Sequence, residues 1–338
     1  MIKIALDALG GDNSPLVNIE GAVNAINEIK DLELLVFGDE KVINEILANY
    51  SYDKTRLNIV HAPEEITCND KPTDAIRLKK ESSLVKAIDA MKQDEQIGAL
   101  VSIGSTGAVL SGAVLKLGRI SGVKRPALCP ILPTLNGKLV AICDSGANAE
   151  CDEEQLVQFA IMSNLYMKKA YGIENPKIAL LNIGTEEEKG DELRKNVYKL
   201  LKERTDINFI GNMEARELLT GVADVVVCDG FSGNILLKST EGACLELLGL
   251  VKKAFYKNTK TKIGALLVKK EVKGIKNLMD YNNYGGAVLL GCKKTVVKGH
   301  GNSKAKAIYN CIKQAYDMEK NNLRSSILEA FNQSLQNS

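Results

Sequence analysis

The sequence contains no tryptophan, only two histidines and few aromatic residues of any kind. With His61 and His300 as its only imidazoles, the chain has little material for a Ser-His-Asp or Cys-His nucleophile. None of its eight cysteines forms a C-x-x-C pair, which argues against a structural zinc site. We therefore expect reduced thiols, most of them buried, and neither a metal nor a cofactor.

Long apolar runs and a strong charge imbalance are also lacking. No stretch of about 18 apolar residues occurs, so no transmembrane helix is predicted. The formal net charge of +2 does not favour a nucleic-acid-binding protein. The first residues enter a strand-like pattern without the regions of a signal peptide. A chain of 338 residues, 45% hydrophobic and 25% charged, indicates a globular protein, which we expect to be one cytoplasmic domain spanning residues 1–338.

Two nucleotide-binding motifs are missing as well. The chain contains neither G-x-x-x-x-G-K-[ST] nor a G-x-G-x-x-G that follows a strand. Their absence weakens nucleotide hydrolysis and dinucleotide binding as functions.

The sequence does contain a pattern that recurs several times. In each case an apolar run is followed by a Gly-rich or polar turn and then by a stretch with helical periodicity. Examples are "IKIALDA", "LELLVFG", "IGALVSIG", "KIALLNIG" and "ADVVVCDG", each followed by a helical pattern. Continuous apolar strands that alternate with helices predict an α/β fold with a mainly parallel sheet covered on both faces. Two stretches predict hairpins instead, namely "RPALCPILPTLNGKLVAICDSGAN", with an Asn136-Gly137 turn, and "AVLLGCKKTVVKGHGNS".

The turns of this pattern follow the carboxyl ends of the strands, where open parallel sheets bind ligands. We expect four of them, at residues 7–11, 104–107, 182–185 and 229–234, to border one crevice. "SIGSTGA" and "DGFSGN" open helices, whose free N–H groups and dipole attract anions. Gly230 and Gly233 would permit positive φ and close backbone approach. The alternative is that both turns only cap helices.

Several lysines are candidates for binding an anion or a partner. Lys189 follows the turn "NIGTEEEKG", and "RLKKESS" at residues 77–83 is either an anion-binding or carrier-docking patch or an exposed helix face. Residues 251–278 hold nine lysines and one glutamate around an apolar centre. This segment, part of a predicted basic helical hairpin at about 240–280, either lies on an anionic membrane or packs its apolar face inward.

Taken together, these motifs resemble the phosphate acyltransferase (PlsX) family of bacterial phospholipid synthesis. The resemblance covers residues 1 to about 310 and is carried, in order, by "IALDALGGDNSP", "VSIGSTGA", "DSGAN", "LLNIGTEEEKG", "GNMEAREL…GVADVVVCDGFSGNILLKSTEG" and "YGGAVLLG…HGNSKAKA". It implies a three-layer α/β/α fold similar to phosphotransacetylase and isocitrate dehydrogenase. It also implies that acyl-(acyl-carrier protein) and inorganic phosphate react to give acyl phosphate and free carrier protein.

The implied partners are acyl-carrier protein, inorganic phosphate, a membrane glycerol-3-phosphate acyltransferase, an anionic membrane surface and a second copy of the chain. A peripheral position at the inner face of the membrane would suit the delivery of an amphiphilic product. A coenzyme A-dependent phosphotransacetylase or phosphotransbutyrylase and a non-catalytic carrier-binding scaffold are the alternatives.

A thioester is already activated, so phosphate can attack it directly while the protein orients it and stabilises the oxyanion. We expect Ser105, Thr106, Ser232, Gly233 and Asn234 to hold phosphate and the oxyanion. Lys189 and Lys80 would balance charge, and Asp229 would either orient a donor or serve the structure alone. The expected catalytic residues are Asp229, Asn234 and Lys189, and the expected substrate-binding residues are Gly104, Ser105, Thr106, Gly107, Asn182, Gly184, Gly230, Ser232, Gly233, Lys80 and Ser82.

Overall fold

The computed structural model of the chain describes residues 1–278 and 281–336, in which twelve strands form two sheets. The first sheet has the order β3-β2-β1-β4-β12-β11-β5 and the second β6-β7-β10-β8-β9. The strands are β1 (Ile2–Asp7), β2 (Leu32–Gly38), β3 (Leu57–His61), β4 (Ile97–Ser102), β5 (Ala127–Cys129), β6 (Ile131–Pro133), β7 (Leu139–Cys143), β8 (Lys177–Asn182), β9 (Asn208–Glu214), β10 (Val225–Val227), β11 (Ala287–Leu290) and β12 (Thr295–Lys298).

Helices connect most of these strands. They are α1 (Leu16–Glu28), α2 (Glu40–Leu47), α3 (Pro72–Leu78), α4 (Ser83–Gln93), α5 (Thr106–Gly112), α6 (Glu153–Tyr171), α7 (Glu192–Lys202), α8 (Gly230–Phe255), α9 (Thr259–Leu267), α10 (Lys269–Leu278), α11 (Ala305–Lys320) and α12 (Leu323–Gln336). Helix α5 continues into a π-helical turn at Ala113–Leu117, and short 3-10 helices lie at Ala215–Thr220 and Tyr281–Tyr284.

The α/β fold with mainly parallel strands is confirmed. Strands β1, β2, β3, β4 and β12 pair in parallel, as do β7, β8, β9 and β10. The central strand β4 is buried along its whole length, which explains its uninterrupted apolar run. The largest hydrophobic cluster holds side chains of both sheets, Leu34 and Val225 among them.

Both predicted hairpins are present. Strands β6 and β7 pair antiparallel around a turn in which Thr134 N–H donates to the Lys138 carbonyl at 2.8 Å. Strands β11 and β12 form the second antiparallel pair. Because β5 belongs to the first sheet and β6 to the second, residues 127–133 pass directly from one sheet to the other.

The four Gly-rich turns that we expect at one crevice do not follow strands of a single sheet, because the strands divide between two sheets. Residues 7–11 and 104–107 follow β1 and β4 of the first sheet. Residues 182–185 and 229–234 follow β8 and β10 of the second.

The first turn of α8 is pressed against the loop after β7. Gly230 and Gly233 do not adopt the positive φ that glycine permits, because both residues are helical. What these positions require is close approach. A Cβ atom on Gly233 would lie 1.9 Å from the Asp144 carbonyl oxygen, and one on Gly230 2.6 Å from the Asn148 carbonyl oxygen. Only glycine leaves room for backbone on backbone here.

Substitution of Gly233 by alanine should therefore lower the free energy of unfolding by at least about 1–3 kcal/mol, since its methyl group meets a carbonyl that cannot move aside. Gly242→Ala is the matched control, because nothing lies within 4 Å of a Cβ atom there. The control should gain about 0.5–1 kcal/mol from helix propensity. Urea unfolding measures both, and equal stability of the two variants would contradict this packing.

Candidate active site

A buried carboxylate organises the loops at the edge of the first sheet. Asp7, at the end of β1, accepts hydrogen bonds from the Ser83 hydroxyl at 2.6 Å and the Ser102 hydroxyl at 2.7 Å. Burial raises the pKa of Asp7, although these hydrogen bonds oppose the shift. We call Asp7, Ser83, Ser102 and Gly104 the Asp7 cluster. It joins the ends of β1 and β4 to the start of α4.

The Gly104 loop lies against residues 7–11. A Cβ atom on Gly10 would lie 2.6 Å from the Gly104 nitrogen, so the two loops are in backbone contact. Gly104 N–H donates to the Ser102 hydroxyl at 3.1 Å. Ser105 is the N-cap of α5, and its side chain makes no capping hydrogen bond. Thr106 and Gly107 form the first turn, where Gly107 packs against Pro72.

A second group of polar side chains surrounds the start of α8. Asp229 is its N-cap and accepts from Ser232 N–H at 2.8 Å and from the Ser232 hydroxyl at 3.0 Å. The Arg194 guanidinium of α7 forms an ion pair with Asp229 and lies 3.5 Å from the Ser232 hydroxyl. We call Asp144, Asn148, Arg194, Asp229 and Ser232 the Asp229 cluster.

Arg194 is the functional candidate that the sequence did not reveal. It sits at the start of α7, 35 residues before Asp229, and also pairs with Asp191 at 2.7 Å. The only feature of the sequence that points to Arg194 is its position shortly after the Gly-rich turn at 182–190. Its side chain is mostly buried, so its charge is held in place between two carboxylates.

The loop after β7 supports the Asp229 cluster from beneath. The buried Asp144 carboxylate accepts from Leu128 N–H at 2.8 Å, Asn148 N–H at 2.7 Å and the Asn148 amide at 2.9 Å. Burial raises its pKa against these hydrogen bonds. Gly230 N–H donates to the Asn148 carbonyl at 2.7 Å. The motif "DSGAN" carried the signal for these residues.

The turn at 182–190 is closed by its own side chains. Asn182 accepts from Ile183 N–H at 2.9 Å and donates to the Lys189 carbonyl at 3.0 Å, so its amide shapes the turn. A Cβ atom on Gly184 would meet the Glu186 carboxylate at 2.8 Å. The Lys189 side chain is exposed and forms no ion pair within the described residues.

Ser82 and Lys80, the two site residues predicted in the "RLKKESS" stretch, differ in burial. Ser82 is buried as the N-cap of α4, accepts from Val85 N–H at 3.3 Å and donates to the Lys79 carbonyl at 2.7 Å. Its neighbour Ser83, and not Ser82, reaches Asp7. Lys80 is exposed and makes no ion pair in residues 1–278 and 281–336.

A cleft of about 620 Å³ lies between α5 and the loop after β7, and Asn148 is the member of the Asp229 cluster that lines it. A Cβ atom on Gly146 would lie 3.7 Å from the Asn234 amide, which places Asn234 beside the loop that forms one wall. The helix that begins at Thr106 forms the other wall. The cleft is lined by Leu110, Val114, Arg119, Lys124, Arg125, Pro126, Ala147, Asn148, Asp152, Gln155 and Leu289. The cleft therefore borders the helix that the first predicted anion-binding turn opens and the loop against which the second turn packs, although the two turns belong to different sheets.

A buried lysine lies beside the Asp7 cluster. Lys298 ends β12, pairs in register with Ser102 and donates to the Gly299 carbonyl. No carboxylate lies within ion-pair distance of it in the described part of the chain. Burial lowers its pKa to about 8. Next to it, His300 lies 3.3 Å from Glu241 of α8. Burial disfavours the Glu241 anion, but hydrogen bonds from His300 and Lys238 outweigh burial and lower its pKa.

The cysteines are free thiols, as the sequence predicts. Cys129, Cys143, Cys228, Cys292 and Cys311 are buried, whereas Cys68 is exposed. No group of three or more metal-ligating side chains occurs among the described residues. In the same ranges, no helix has the length and apolar character needed to cross a membrane.

This fold is that of the phosphotransacetylases. A phosphotransacetylase from Streptococcus pyogenes superposes with a TM-score of 0.57 and 17% identity over 94% of both chains. The model of the fatty acid synthesis protein family matches residues 2–326. The phosphate acyltransferase of Clostridioides difficile (strain 630) is 47% identical over 98% of this chain and 96% of its own. That of Caldanaerobacter subterraneus is 48% identical over 97% of both chains.

The chain therefore belongs to the phosphate acyltransferase family and is an acyltransferase. The expected resemblance, fold and enzyme class are confirmed.

Lys298 should give the protein a measurable pH dependence of stability. Its folded pKa of about 8 lies below the usual value of 10.5, so the unfolded chain binds more protons between these pH values. The contribution of Lys298 to the free energy of unfolding should therefore rise with pH in that window, by on the order of 3 kcal/mol in total. Lys298→Met should remove the rise, whereas Lys138→Met, at an exposed turn, should keep it. Urea unfolding at pH 7.5, 9 and 10.5 compares them, and a rise retained in Lys298→Met would refute this assignment.

Proposed function

We propose that this acyltransferase transfers the acyl group of an acyl-carrier protein thioester to inorganic phosphate and feeds bacterial phospholipid synthesis. A phosphate oxygen attacks the thioester carbonyl, so a C–O bond forms and the C–S bond breaks. The electron pair leaves on sulfur, which takes a proton and becomes the free carrier thiol. The products are acyl phosphate and carrier protein.

One observation carries this proposal: the Arg194 guanidinium lies 3.5 Å from the Ser232 hydroxyl at the start of α8, and Asn148, which accepts from Gly230 N–H of that helix, lines the cleft beside α5. Phosphate is an anion, and direct attack on a thioester needs positioned donors rather than a nucleophilic side chain. The Asp229 cluster supplies donors of that kind. We therefore assign phosphate and the developing oxyanion to Ser232, Asn234 and the Ser105–Thr106 turn.

We assign the donors at α8 to side chains, namely the exposed Asn234 amide and the Ser232 hydroxyl, which has to turn from Asp229 to reach phosphate. Gly230 N–H is engaged by Asn148, Ser232 N–H by the Asp229 carboxylate and Gly233 N–H by the Asp229 carbonyl. Gly233 and Gly230 thus serve by allowing close packing. Asp229 orients Arg194 and Ser232, which fits the role of orienting donors.

Arg194 is already in place to donate hydrogen bonds to phosphate, while Asp191 and Asp229 balance its charge. A planar guanidinium suits phosphate oxygens, and part of its hydrogen-bonding capacity is taken by Asp191 and Asp229. We assign Lys189 and Lys80, both exposed, to balance the remaining charge of the bound phosphate. Asn182 and Gly184 belong to the turn that carries Lys189. Ser82 caps the start of α4, the helix whose Ser83 donates to Asp7.

The protein also has a surface suited to an anionic membrane. The second half of α8, together with α9 and α10, forms a helical extension in which α9 has no buried residue. Leu266 and Leu267 are 70% and 80% exposed and lie among the lysines of residues 251–278. Exposed apolar side chains that are surrounded by basic residues bind anionic lipid surfaces. We propose peripheral attachment at the inner face of the membrane, where a glycerol-3-phosphate acyltransferase would consume the acyl phosphate. We also propose that the active form is a homodimer.

The donor is tested by trapping acyl phosphate with hydroxylamine. Purified protein, phosphate and palmitoyl-carrier protein should yield palmitoyl hydroxamate, and palmitoyl-CoA and acetyl-CoA should yield far less. Product mainly from coenzyme A thioesters would instead make the protein a phosphotransacetylase. Binding of the carrier without any product would favour the scaffold alternative.

Ser232→Ala and Asn234→Ala should each lower kcat by roughly 10- to 1,000-fold in the same assay, because each removes a donor to the developing charge. Ser239→Ala is the matched control, since Ser239 is exposed farther along α8. Unchanged kcat in both test variants would show that the mouth of α8 is not the reacting centre.

Membrane attachment is tested by sedimentation with vesicles that contain phosphatidylglycerol. The double variant Leu266→Glu/Leu267→Glu should abolish sedimentation, because it places charge where apolar side chains enter the interface. Leu135→Glu, at an exposed leucine of the β6–β7 turn, should sediment like the wild type. Equal sedimentation of all three proteins would exclude this surface as the attachment site.

A further inference from the structure

The cleft has a cationic rim formed by the segment that joins α5 to β5. Arg119, Lys124 and Arg125 all line it. Lys124 is neutralised by Glu154 at 2.5 Å and Asp152 at 3.6 Å. Arg119 and Arg125, both exposed, have no carboxylate within 4 Å anywhere in the described residues. The three cations of the rim outnumber the two carboxylates of Asp152 and Glu154, so the rim is net positive, and its two arginines are the cations that no carboxylate pairs with in the described residues.

This rim is held rigidly. Arg119 forms an isolated antiparallel bridge with Cys292, and its guanidinium donates to the Lys124 carbonyl. Lys124 N–H donates to the Gln158 side chain at 2.8 Å. A pair of arginines on a pinned segment loses less entropy when it binds an anion than a pair on a free loop does.

The rim also connects directly to the Asp229 cluster. The Asn148 amide donates both to the Pro126 carbonyl at 2.8 Å and to Asp144 at 2.9 Å. Pro126 follows Arg125 in the chain, so one side chain ties the rim to the loop under α8. The cleft also has apolar lining residues, Leu110, Val114 and Leu289 among them.

A cleft with two arginines on its rim, apolar lining residues and a connection to the Asp229 cluster suits one class of ligand. We propose that the cleft binds the 4′-phosphopantetheine arm of the acyl donor, with Arg119 and Arg125 on its phosphate and the thioester directed to the Asp229 cluster. The volume of about 620 Å³ lies within the range of small-molecule sites. This inference rests on the proposed function, because it names how that donor is held.

The arm occurs both on acyl-carrier protein and in coenzyme A, and the experiment separates the two. Steady-state kinetics are measured with palmitoyl-carrier protein, palmitoyl-CoA and palmitoyl-pantetheine, which has no phosphate. Arg119→Ala/Arg125→Ala should raise KM for the carrier donor at least about tenfold, since charge-assisted hydrogen bonds are lost. The KM for inorganic phosphate and the kinetics with palmitoyl-pantetheine should stay as in the wild type.

Two variants and a salt series sharpen the test. Arg125→Lys should restore part of the affinity that Arg125→Ala loses, and Arg216→Ala, at an exposed arginine outside the cleft, should change nothing. The KM of the wild type for the carrier should rise with ionic strength more steeply than that of the double variant. A similar loss with palmitoyl-CoA assigns the arginines to the arm itself. A loss with the carrier alone assigns them to the protein portion of the carrier and overturns the proposal.

Other results also overturn it: an unchanged KM for the carrier donor, or an equal loss with palmitoyl-pantetheine. Calorimetric titration with 4′-phosphopantetheine separates failure of this inference from failure of the proposed function. Wild-type protein that binds the free arm while the double variant does not supports the site even if no acyl phosphate forms. Equal binding by both proteins refutes the site whatever the enzyme's donor proves to be.

Discussion

The contact between the first turn of α8 and the loop after β7 is the constraint on which the site depends. At Gly233 the helix backbone approaches the Asp144 carbonyl so closely that no side chain fits between them. This approach brings Gly230 N–H onto the Asn148 carbonyl and places Asn234 beside Gly146. Asp229, Ser232 and Arg194 are then assembled around a helix end whose position is already fixed. Two glycines thus determine where the charged groups meet.

The electrostatics of the site follow from this packing. Asp144 and Asp7 are buried carboxylates whose pKa values burial raises, and each is surrounded by hydrogen-bond donors. They hold loops in place at the edges of two different sheets. Asp229 instead pairs with Arg194, which keeps a guanidinium ready beside the Ser232 hydroxyl. Asp7 and Asp144 therefore hold the loops, whereas Asp229 holds the side chains that we assign to the reaction.

Much of the fold could be predicted because its signals are local. Uninterrupted apolar runs such as that of β4 indicated buried parallel strands, and Asn136-Gly137 marked a real hairpin turn. The division into two sheets has no local signal, because it depends on the pairing of β5 and β6 with different partners. Gly233 looked like a turn residue, and its true partner, Asp144, lies far away in sequence. Arg194 was missed for the same reason, since its contact with Asp229 spans 35 residues.

The central claim is that phosphate attacks the thioester directly in a cleft that holds both substrates together. Initial rates measured against palmitoyl-carrier protein at several phosphate concentrations test it. Intersecting double-reciprocal lines, with no acyl-enzyme detected when radiolabelled donor is incubated without phosphate, are the predicted result. Parallel lines and a labelled, acylated protein would contradict the claim, because they would require a nucleophilic side chain.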